Sequence, residues 1–255
     1  RASPSTVQKA IDAFVRAYDV NVAEAVVPSG GYQSFNEFFT RSLVAHARPL
    51  DSDEDAFLSP ADGSFEDFGP VDARRGIVIK GKPYTVAELL GGEDLARRYE
   101  GGTYYIVYLS PRDYHRVHAC VSGRVTRVKH VDGTLYPVNS IGTEHVDRVF
   151  ARNERVVVEQ DSPRFGSVAT VLVGAVGVGR IGLAFDPVET NVGRAVVDRD
   201  LGPSGPMLSR GDELGRFNLG STVIGFVSAD AKLTFTAERG SAVRMGRALG
   251  RKERR

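Results

Sequence analysis

Six segments rich in valine, isoleucine, tyrosine, phenylalanine and threonine constrain the fold of this chain more than any other feature of its sequence. Glycine, proline, aspartate or asparagine separates them, which is the pattern of strands joined by turns. The predicted strands cover residues 103–109, 123–129, 155–160, 168–178, 221–227 and 232–236. Residues 186–211 show no clear period and are interpreted as loop and edge structure. We therefore predict an α+β, mainly β chain with an antiparallel β sandwich or barrel-like core.

Helical patterns are short and lie near the start of the chain. Apolar residues at helical spacing across 5–18 predict an amphipathic helix with one apolar face. Ser34 and Glu37 have capping-box spacing at the start of a short aromatic helix, and Thr85 repeats the pattern with Glu88. These helices flank the predicted β core.

Charge and cysteine content exclude several classes of protein. The 255 residues include 33 Lys and Arg against 32 Asp and Glu, a balance that argues against a dedicated nucleic-acid binder. Cys120 is the only cysteine, so no intramolecular disulfide exists. No apolar run approaches the roughly 20 residues that span a bilayer. The arginine-rich end, 244–255, is interpreted as a solvated tail or as a surface attracted to anionic membranes.

Two short motifs carry acidic and imidazole groups. Residues 59–63, Ser-Pro-Ala-Asp-Gly, place Asp62 in a tight turn that can hold a carboxylate rigidly. His115 and His118 are three residues apart, a spacing that on a helix could serve zinc. Because no third ligand cluster is apparent, we expect no metal and favour acid–base chemistry for the two histidines.

The third motif joins Gly220 to Ser221 at the entry to a β-branched strand. A Gly-Ser pair in this position is usually only a bulge or a tight strand entry. The alternative is chemical, because a glycine carbonyl has no Cβ beside it and a serine oxygen can attack backward onto that carbonyl. The pair meets both requirements of a self-cleavage site.

Taken together, these motifs resemble the phosphatidylserine decarboxylase family. The matching blocks occur in family order from about residue 31 to 227. They are residues 35–41, 59–63, 113–118, 134–139, 150–155 and 219–222. Ala119 and Cys120 stand where many relatives have a nearby proline, away from the reacting atoms.

The resemblance implies a role for each site residue. Asp62, His118 and Ser221 would form the relay for self-cleavage between Gly220 and Ser221, with His115 serving mainly in decarboxylation. Cleavage would give a β chain, 1–220, and an α chain, 221–255. Ser221 would become a covalent pyruvoyl cofactor whose ketone forms a Schiff base with the substrate amine.

The same resemblance implies a partner and a location. Phosphatidylserine would be decarboxylated to phosphatidylethanolamine by a peripheral protein on the cytoplasmic face of the cell membrane, with residues 1–45 as a membrane-facing helical segment and 46–255 as the catalytic domain. The sequence does not decide whether the protein forms a homodimer, and we expect no nucleic-acid partner. Some relatives use free amino acids, but the amphipathic start, the aromatic cluster at 35–39 and the basic end favour a lipid.

Three other classes compete with this interpretation. Residues 177–182 spell Gly-x-Gly-x-x-Gly, yet Asp186-Pro187 follows soon after, where a dinucleotide fingerprint needs a helix. A serine hydrolase using Asp62, His118 and Ser221 would lack the Gly-x-Ser-x-Gly elbow. A non-catalytic β-sandwich binding module would have no reason to combine these motifs.

Overall fold

The computed structural model describes residues 3–72, 76–176, 180–192, 197–218 and 221–253. Its helices are α1 (Pro4–Tyr18), α2 (Phe35–Phe39), α3 (Val86–Leu90), α4 (Glu93–Ala96), α5 (Ser140–His145) and α6 (Val149–Arg152). Its strands are β1 (Ala56–Leu58), β2 (Gly63–Pro70), β3 (Ile77–Ile79), β4 (Lys82–Tyr84), β5 (Thr103–Leu109), β6 (Arg116–His118), β7 (Gly123–Val131), β8 (Arg155–Ser162), β9 (Gly166–Val173), β10 (Ile181–Leu183), β11 (Asp198–Asp200), β12 (Met207–Leu208), β13 (Glu213–Phe217), β14 (Ser221–Val227), β15 (Leu233–Phe235), β16 (Ala242–Val243) and β17 (Ala248–Lys252).

A large antiparallel sheet organises the molecule, in the order β11-β7-β8-β9-β14-β5-β2-β16, with β12 also paired to β7. Its central strands come from the β-branched segments of the sequence, and the core residues of β8, β9 and β14 are buried on both faces. The mainly β, antiparallel prediction is confirmed, and among the described strands no sheet closes into a barrel.

Two smaller sheets cover the large one. The β1-β17-β15 sheet packs on it through aromatic rings, since the Tyr105 ring of β5 lies 5.5 Å from Phe57 of β1 and 6.0 Å from Phe235 of β15, centroid to centroid. The β10-β13-β6 sheet carries His118 opposite Glu213. This second sheet ends just before the chain returns to the large sheet at β14.

The capped helices form where the sequence predicts them. Ser3 caps α1, Ser34 accepts from the Glu37 backbone amide at 3.1 Å, and Thr85 accepts from the Glu88 amide at 3.1 Å. Gly91 ends α3 in a left-handed conformation, φ 76°.

The apolar faces of α1 and α2 are packed against each other. Val7 and Ile11 of α1 share a small core with Tyr32 and Phe38, and the Phe14 ring lies 5.0 Å from that of Phe35. A helix pattern cannot distinguish a face that meets protein from one that meets lipid. Any membrane contact of residues 1–45 must therefore use other side chains.

Two expectations needed correction at element ends. The strand predicted for 168–178 stops at Val173, with 177 and 178 outside the described residues. The interpretation of the arginine-rich end as a solvated tail is wrong for residues 248–252, because they form β17 between β1 and β15 and Arg251 donates to Asp51 at 3.1 Å. Residues 254 and 255 lie outside the description.

Candidate active site

The strand β14 brings the backbone of Ser221 to the edge of a cavity. Ser221 pairs with Leu109 of β5, and the next residue, Thr222, pairs with both Tyr108 and Val173. Leu219 and Gly220, which complete the predicted cleavage motif, lie outside the described residues. Tyr108 and Ser110, the residues on either side of Leu109, line the cavity.

The cavity has a volume of about 590 Å³, and many of the residues that line it are charged. Its lining includes Asp62, Arg41, Arg48, Ser110 and Tyr114. A cavity of this size, with charged residues in its wall, can admit a small charged group beside the candidate nucleophile.

The Ser-Pro-Ala-Asp-Gly turn connects β1 to β2 and presents Asp62 to this cavity. Within the turn, the Ser59 hydroxyl donates to the Ala61 carbonyl at 2.8 Å. A Cβ at Gly63 would lie 2.2 Å from the Tyr108 carbonyl oxygen, so only glycine lets the turn approach β5 this closely. The turn therefore holds Asp62 beside the strand that pairs with Ser221.

The Asp62 carboxylate is held by a buried cation. Arg48 donates to Oδ1 at 2.9 Å and to Oδ2 at 2.6 Å, while the Met245 backbone amide donates to Oδ1 at 2.9 Å. Arg48 also donates to Glu24 at 2.8 Å. Burial opposes the charge on Arg48, but its hydrogen bonds to Asp62 and Glu24 raise the pKa of the guanidinium above its usual range.

His118 is held at both ring nitrogens. Nδ1 lies 2.8 Å from the Gly211 carbonyl, and Nε2 lies 3.1 Å from the Tyr114 hydroxyl. A carbonyl only accepts, so these partners assign the proton to Nδ1 and leave Nε2 as an acceptor. Burial lowers the pKa of His118, which keeps the ring neutral near pH 7 and therefore able to accept a proton.

Asp62 and His118 do not bond to each other in this uncut chain. The carboxylate oxygens of Asp62 are occupied by Arg48 and the Met245 amide, and the orienting contact to His118 Nδ1 comes from Gly211. Asp62 acts on His118 through its charge, which favours the protonated imidazole. The relay expected of Asp62 is therefore electrostatic in this geometry.

His115 is completely buried. Its Nδ1 lies 2.8 Å from the Asp113 carbonyl, its ring centroid lies 4.1 Å from that of Phe39, and its Nε2 has no hydrogen-bond partner among the described residues. Burial lowers the pKa of His115 to about 3, so the ring is neutral at pH 7. A buried ring nitrogen without a partner is costly, and such atoms often have a chemical role.

The histidine motif does not form a metal site. His118 ends strand β6 and His115 immediately precedes it, so a three-residue separation sends the two side chains toward opposite faces instead of sharing a helix face. In the described part of the chain, no three histidine, cysteine, aspartate or glutamate side chains come together as metal ligands. The motif does reach the cleavage region, since the Phe217 amide donates to the His115 carbonyl at 3.1 Å.

The sequence did not single out Arg48, Tyr114 or Gly211. Tyr114 lies inside the histidine motif, so its position next to His115 was the available signal. Arg48 and Gly211 lie 14 and 93 residues from their partners Asp62 and His118, and no local pattern announces such contacts.

The Gly-x-Gly-x-x-Gly segment at 177–182 is not followed by the helix that a nucleotide-binding motif requires. Gly177 and Gly179 lie outside the described residues, but Ile181–Leu183 forms strand β10. A dinucleotide fingerprint requires a helix to begin there.

Replacing Asp62 by asparagine is expected to stop self-cleavage and to lower the free energy of unfolding by about 3 kcal/mol, because Arg48 would keep its charge without its closest partner. The Arg48 and Asp62 side chains are only 7% and 10% exposed, so water cannot substitute for the lost carboxylate. Urea unfolding in a Ser221→Ala background measures the stability of uncut chains.

The double variant Asp62→Asn/Arg48→Met separates the two effects. It should regain much of the stability and still not cut, since the buried cation is gone but the carboxylate is still missing. Cleavage of Asp62→Asn at the wild-type rate would show that the carboxylate has no part in the reaction.

Comparison with known proteins gives a consistent picture. A family model described as phosphatidylserine decarboxylase matches residues 35–251. A phosphatidylserine decarboxylase proenzyme of Brevibacillus brevis is 39% identical over 248 residues, covering 96% of this chain and 88% of the relative. Proenzymes of the same name from Alkalilimnicola ehrlichii and Xanthomonas campestris are 43% and 41% identical, covering 84% and 98% of this chain and 75% and 90% of their own lengths.

Proposed function

Because this chain belongs to the phosphatidylserine decarboxylase family, we propose that it cuts its own backbone between Gly220 and Ser221 and then converts phosphatidylserine to phosphatidylethanolamine and carbon dioxide. It is a carboxy-lyase made as a proenzyme. One observation supports the assignment of the site above all: the register of β14 sets Ser221 opposite Leu109, between two residues that line the cavity of Asp62 and Tyr114.

The proposed cleavage uses the chain's own groups. The Ser221 hydroxyl oxygen attacks the Gly220 carbonyl carbon while its proton passes to His118, and the amide nitrogen of Ser221 leaves with a proton, so the peptide becomes an ester. Loss of the Ser221 α-proton then breaks the Cβ–O bond. The products are a Gly220 carboxylate and a dehydroalanine, which takes up water and loses ammonia to leave a pyruvoyl group.

Asp62 and His118 have distinct parts in this scheme. His118 is the base, because its Nε2 is an acceptor and its ring is neutral near pH 7. Asp62 stabilises the imidazolium that forms, through its charge.

Strand pairing would keep the two products together. In the α chain, β14 is hydrogen-bonded to β5 and β9, and β17 lies between β1 and β15. The Met245 amide of the α chain also donates to Asp62 of the β chain. The cut chains should therefore behave as one folded protein.

The residues around Ser221 suit a pyruvoyl group at that position. The strand end meets a cavity with charged residues in its wall, and the unpartnered Nε2 of buried His115 is a proton-transfer group without another use in the fold. Once formed, the pyruvoyl ketone supplies a carbonyl that bonds the substrate amine and accepts the electrons released with carbon dioxide. His115 Nε2, which holds no proton in the resting site, would take one up and pass it to the carbon that loses the carboxyl group.

Exposed apolar side chains beside the cavity support a lipid substrate. Tyr18, Val22 and Val44 are 43% to 45% exposed, and their chain neighbours Asp19, Asn21 and Leu43 line the cavity. Val26 and Val27, 46% and 59% exposed, follow Ala25, which is bridged to Leu43, and complete this apolar rim. Within the described ranges, no helix is long and apolar enough to cross a membrane. We assign membrane contact to this apolar rim, with the protein bound peripherally at the cytoplasmic face.

The substrate test offers the processed enzyme phosphatidylserine vesicles and, separately, free serine, tryptophan and other amino acids, with carbon dioxide release as the readout. We expect release only from vesicles. Turnover of a free amino acid with none on vesicles would refute the lipid assignment and leave the self-cleavage chemistry standing.

A matched pair of variants tests the apolar rim. Val27→Asp, at the most exposed valine of the rim, should weaken binding to anionic vesicles and lower their turnover, because it places a charge at the lipid interface. Val78→Asp is the control, since Val78 is 52% exposed but belongs to β3, away from the cavity. Co-sedimentation with vesicles measures the fraction of each variant that binds them. Sedimentation equilibrium without vesicles reports separately whether the protein forms a homodimer.

A further inference from the structure

Tyr114 lies between His118 and the cavity. Tyr114 is one of the residues that line the cavity, whereas His118 is not, and the Tyr114 hydroxyl oxygen is 3.1 Å from His118 Nε2. Because the phenol already occupies Nε2, a group that gives a proton to His118 at this nitrogen must displace the phenol or pass the proton through it.

The hydrogen bonds around His118 fix the direction of the Tyr114 hydroxyl. Since Gly211 can only accept, Nδ1 carries the imidazole proton and the phenol must donate to Nε2. Burial raises the pKa of Tyr114 well above its usual range, so the phenol stays protonated and keeps this donor role. Its oxygen retains lone pairs that can accept a second hydrogen bond from the cavity side.

Charged groups surround this pair from several elements. Arg116 and Arg48 favour the phenolate of Tyr114, whereas Glu213 and Asp62 oppose it. These opposing charges leave a neutral phenol beside a neutral imidazole, which is the arrangement that a concerted transfer through the phenol requires.

We propose that the Tyr114 hydroxyl relays the proton of Ser221 to His118 Nε2 during self-cleavage, an inference that rests on the proposed cut at Gly220-Ser221. As the Ser221 oxygen bonds to the Gly220 carbonyl carbon, the serine proton passes to the phenol oxygen and the phenol proton passes to Nε2. The phenol is neutral before and after, and His118 gains one proton. The reverse transfer delivers that proton to the departing amide nitrogen of Ser221.

Tyr114→Phe tests the relay because it removes only the hydroxyl. We expect its cleavage rate, followed after cell-free translation of the full chain, to fall about 100-fold. Tyr104→Phe is the matched control: Tyr104 and Tyr114 are 5% and 6% exposed, and the Tyr104 hydroxyl also donates a hydrogen bond, to the Val78 carbonyl at 2.9 Å. It should cut at the wild-type rate.

A proton inventory of the wild-type chain gives a second measurement that does not depend on the fold of a variant. Cleavage rates in mixtures of H₂O and D₂O should curve with deuterium content, because two protons move in the relay. A linear inventory, or Tyr114→Phe cutting as fast as Tyr104→Phe or faster, would overturn the relay. Failure of the wild-type chain to cut at all would instead refute the proposed function.

Discussion

Ser221→Ala is expected to leave the full 255-residue chain uncut and to abolish decarboxylase activity. Alanine has no oxygen to attack the Gly220 carbonyl, and without the cut no ketone forms at position 221. Gel electrophoresis and intact mass spectrometry should find one species, where the wild type gives residues 1–220 and a short chain from 221. Because both the cleavage and the decarboxylation of this variant should be completely lost, this is the largest of the expected effects.

The control for Ser221→Ala is Ser241→Ala, a serine of the same short chain whose hydroxyl donates to the Glu238 carbonyl at 2.7 Å on the protein surface. It should cut and turn over normally. The fold of Ser221→Ala itself should persist, because β14 makes its backbone pairs with β5 and β9 whatever side chain stands at 221. A Ser221→Ala chain that still splits would rule out the mechanism.

The second large effect separates the two histidines. His118→Ala should stay uncut, because it removes the base next to Tyr114. His115→Ala should still cut, because the hydrogen-bonded pair of Tyr114 and His118 that serves the cut does not include His115. After cutting, its turnover should fall by about 100-fold or more, the usual effect of losing a positioned acid–base group.

Cleavage and carbon dioxide release, measured on the same preparations, distinguish these roles. Both alanine variants leave a cavity at a buried site, so the melting temperature of each should be measured beside its rates. His118→Gln and His115→Gln serve as controls because glutamine fills part of the volume that alanine leaves empty. A reversed result, in which His118 variants cut and His115 variants do not, would exchange the assignments. Equal loss of cleavage in both would mean that the motif acts as one structural unit.

Sequence patterns predicted β5, β7, β8, β9, β14 and β15 but missed β2, because this eight-residue strand mixes glycine, proline and acidic residues with its two phenylalanines. The runs at 103–109 and 221–227 are long enough for β-branched and aromatic residues to establish a strand, and both predicted bounds match the structure. Strands of two or three residues, such as β6 and β16, have no period to detect. Arg251 of β17 was interpreted as part of a solvated tail because its partners, Asp51 and Asp53, lie some 200 residues away in the sequence.

The candidate site shows the same division between local and distant information. Short local motifs were sufficient to select Asp62, His115, His118 and Ser221 as candidate site residues. The groups that control two of them come from elsewhere in the chain: Arg48 binds Asp62, and the Gly211 carbonyl orients His118. Only the tertiary fold brings these groups together, so their roles could not be predicted from spacing.

The most direct test of self-cleavage is the chemical identity of residue 221 in the purified wild-type protein. The short chain should be isolated with and without borohydride treatment, and its N-terminal peptide should be sequenced by tandem mass spectrometry. We predict a pyruvoyl group in place of Ser221, blocked to Edman degradation and converted by borohydride to a lactoyl group. Active enzyme in which Gly220 and an intact Ser221 remain joined would contradict the account.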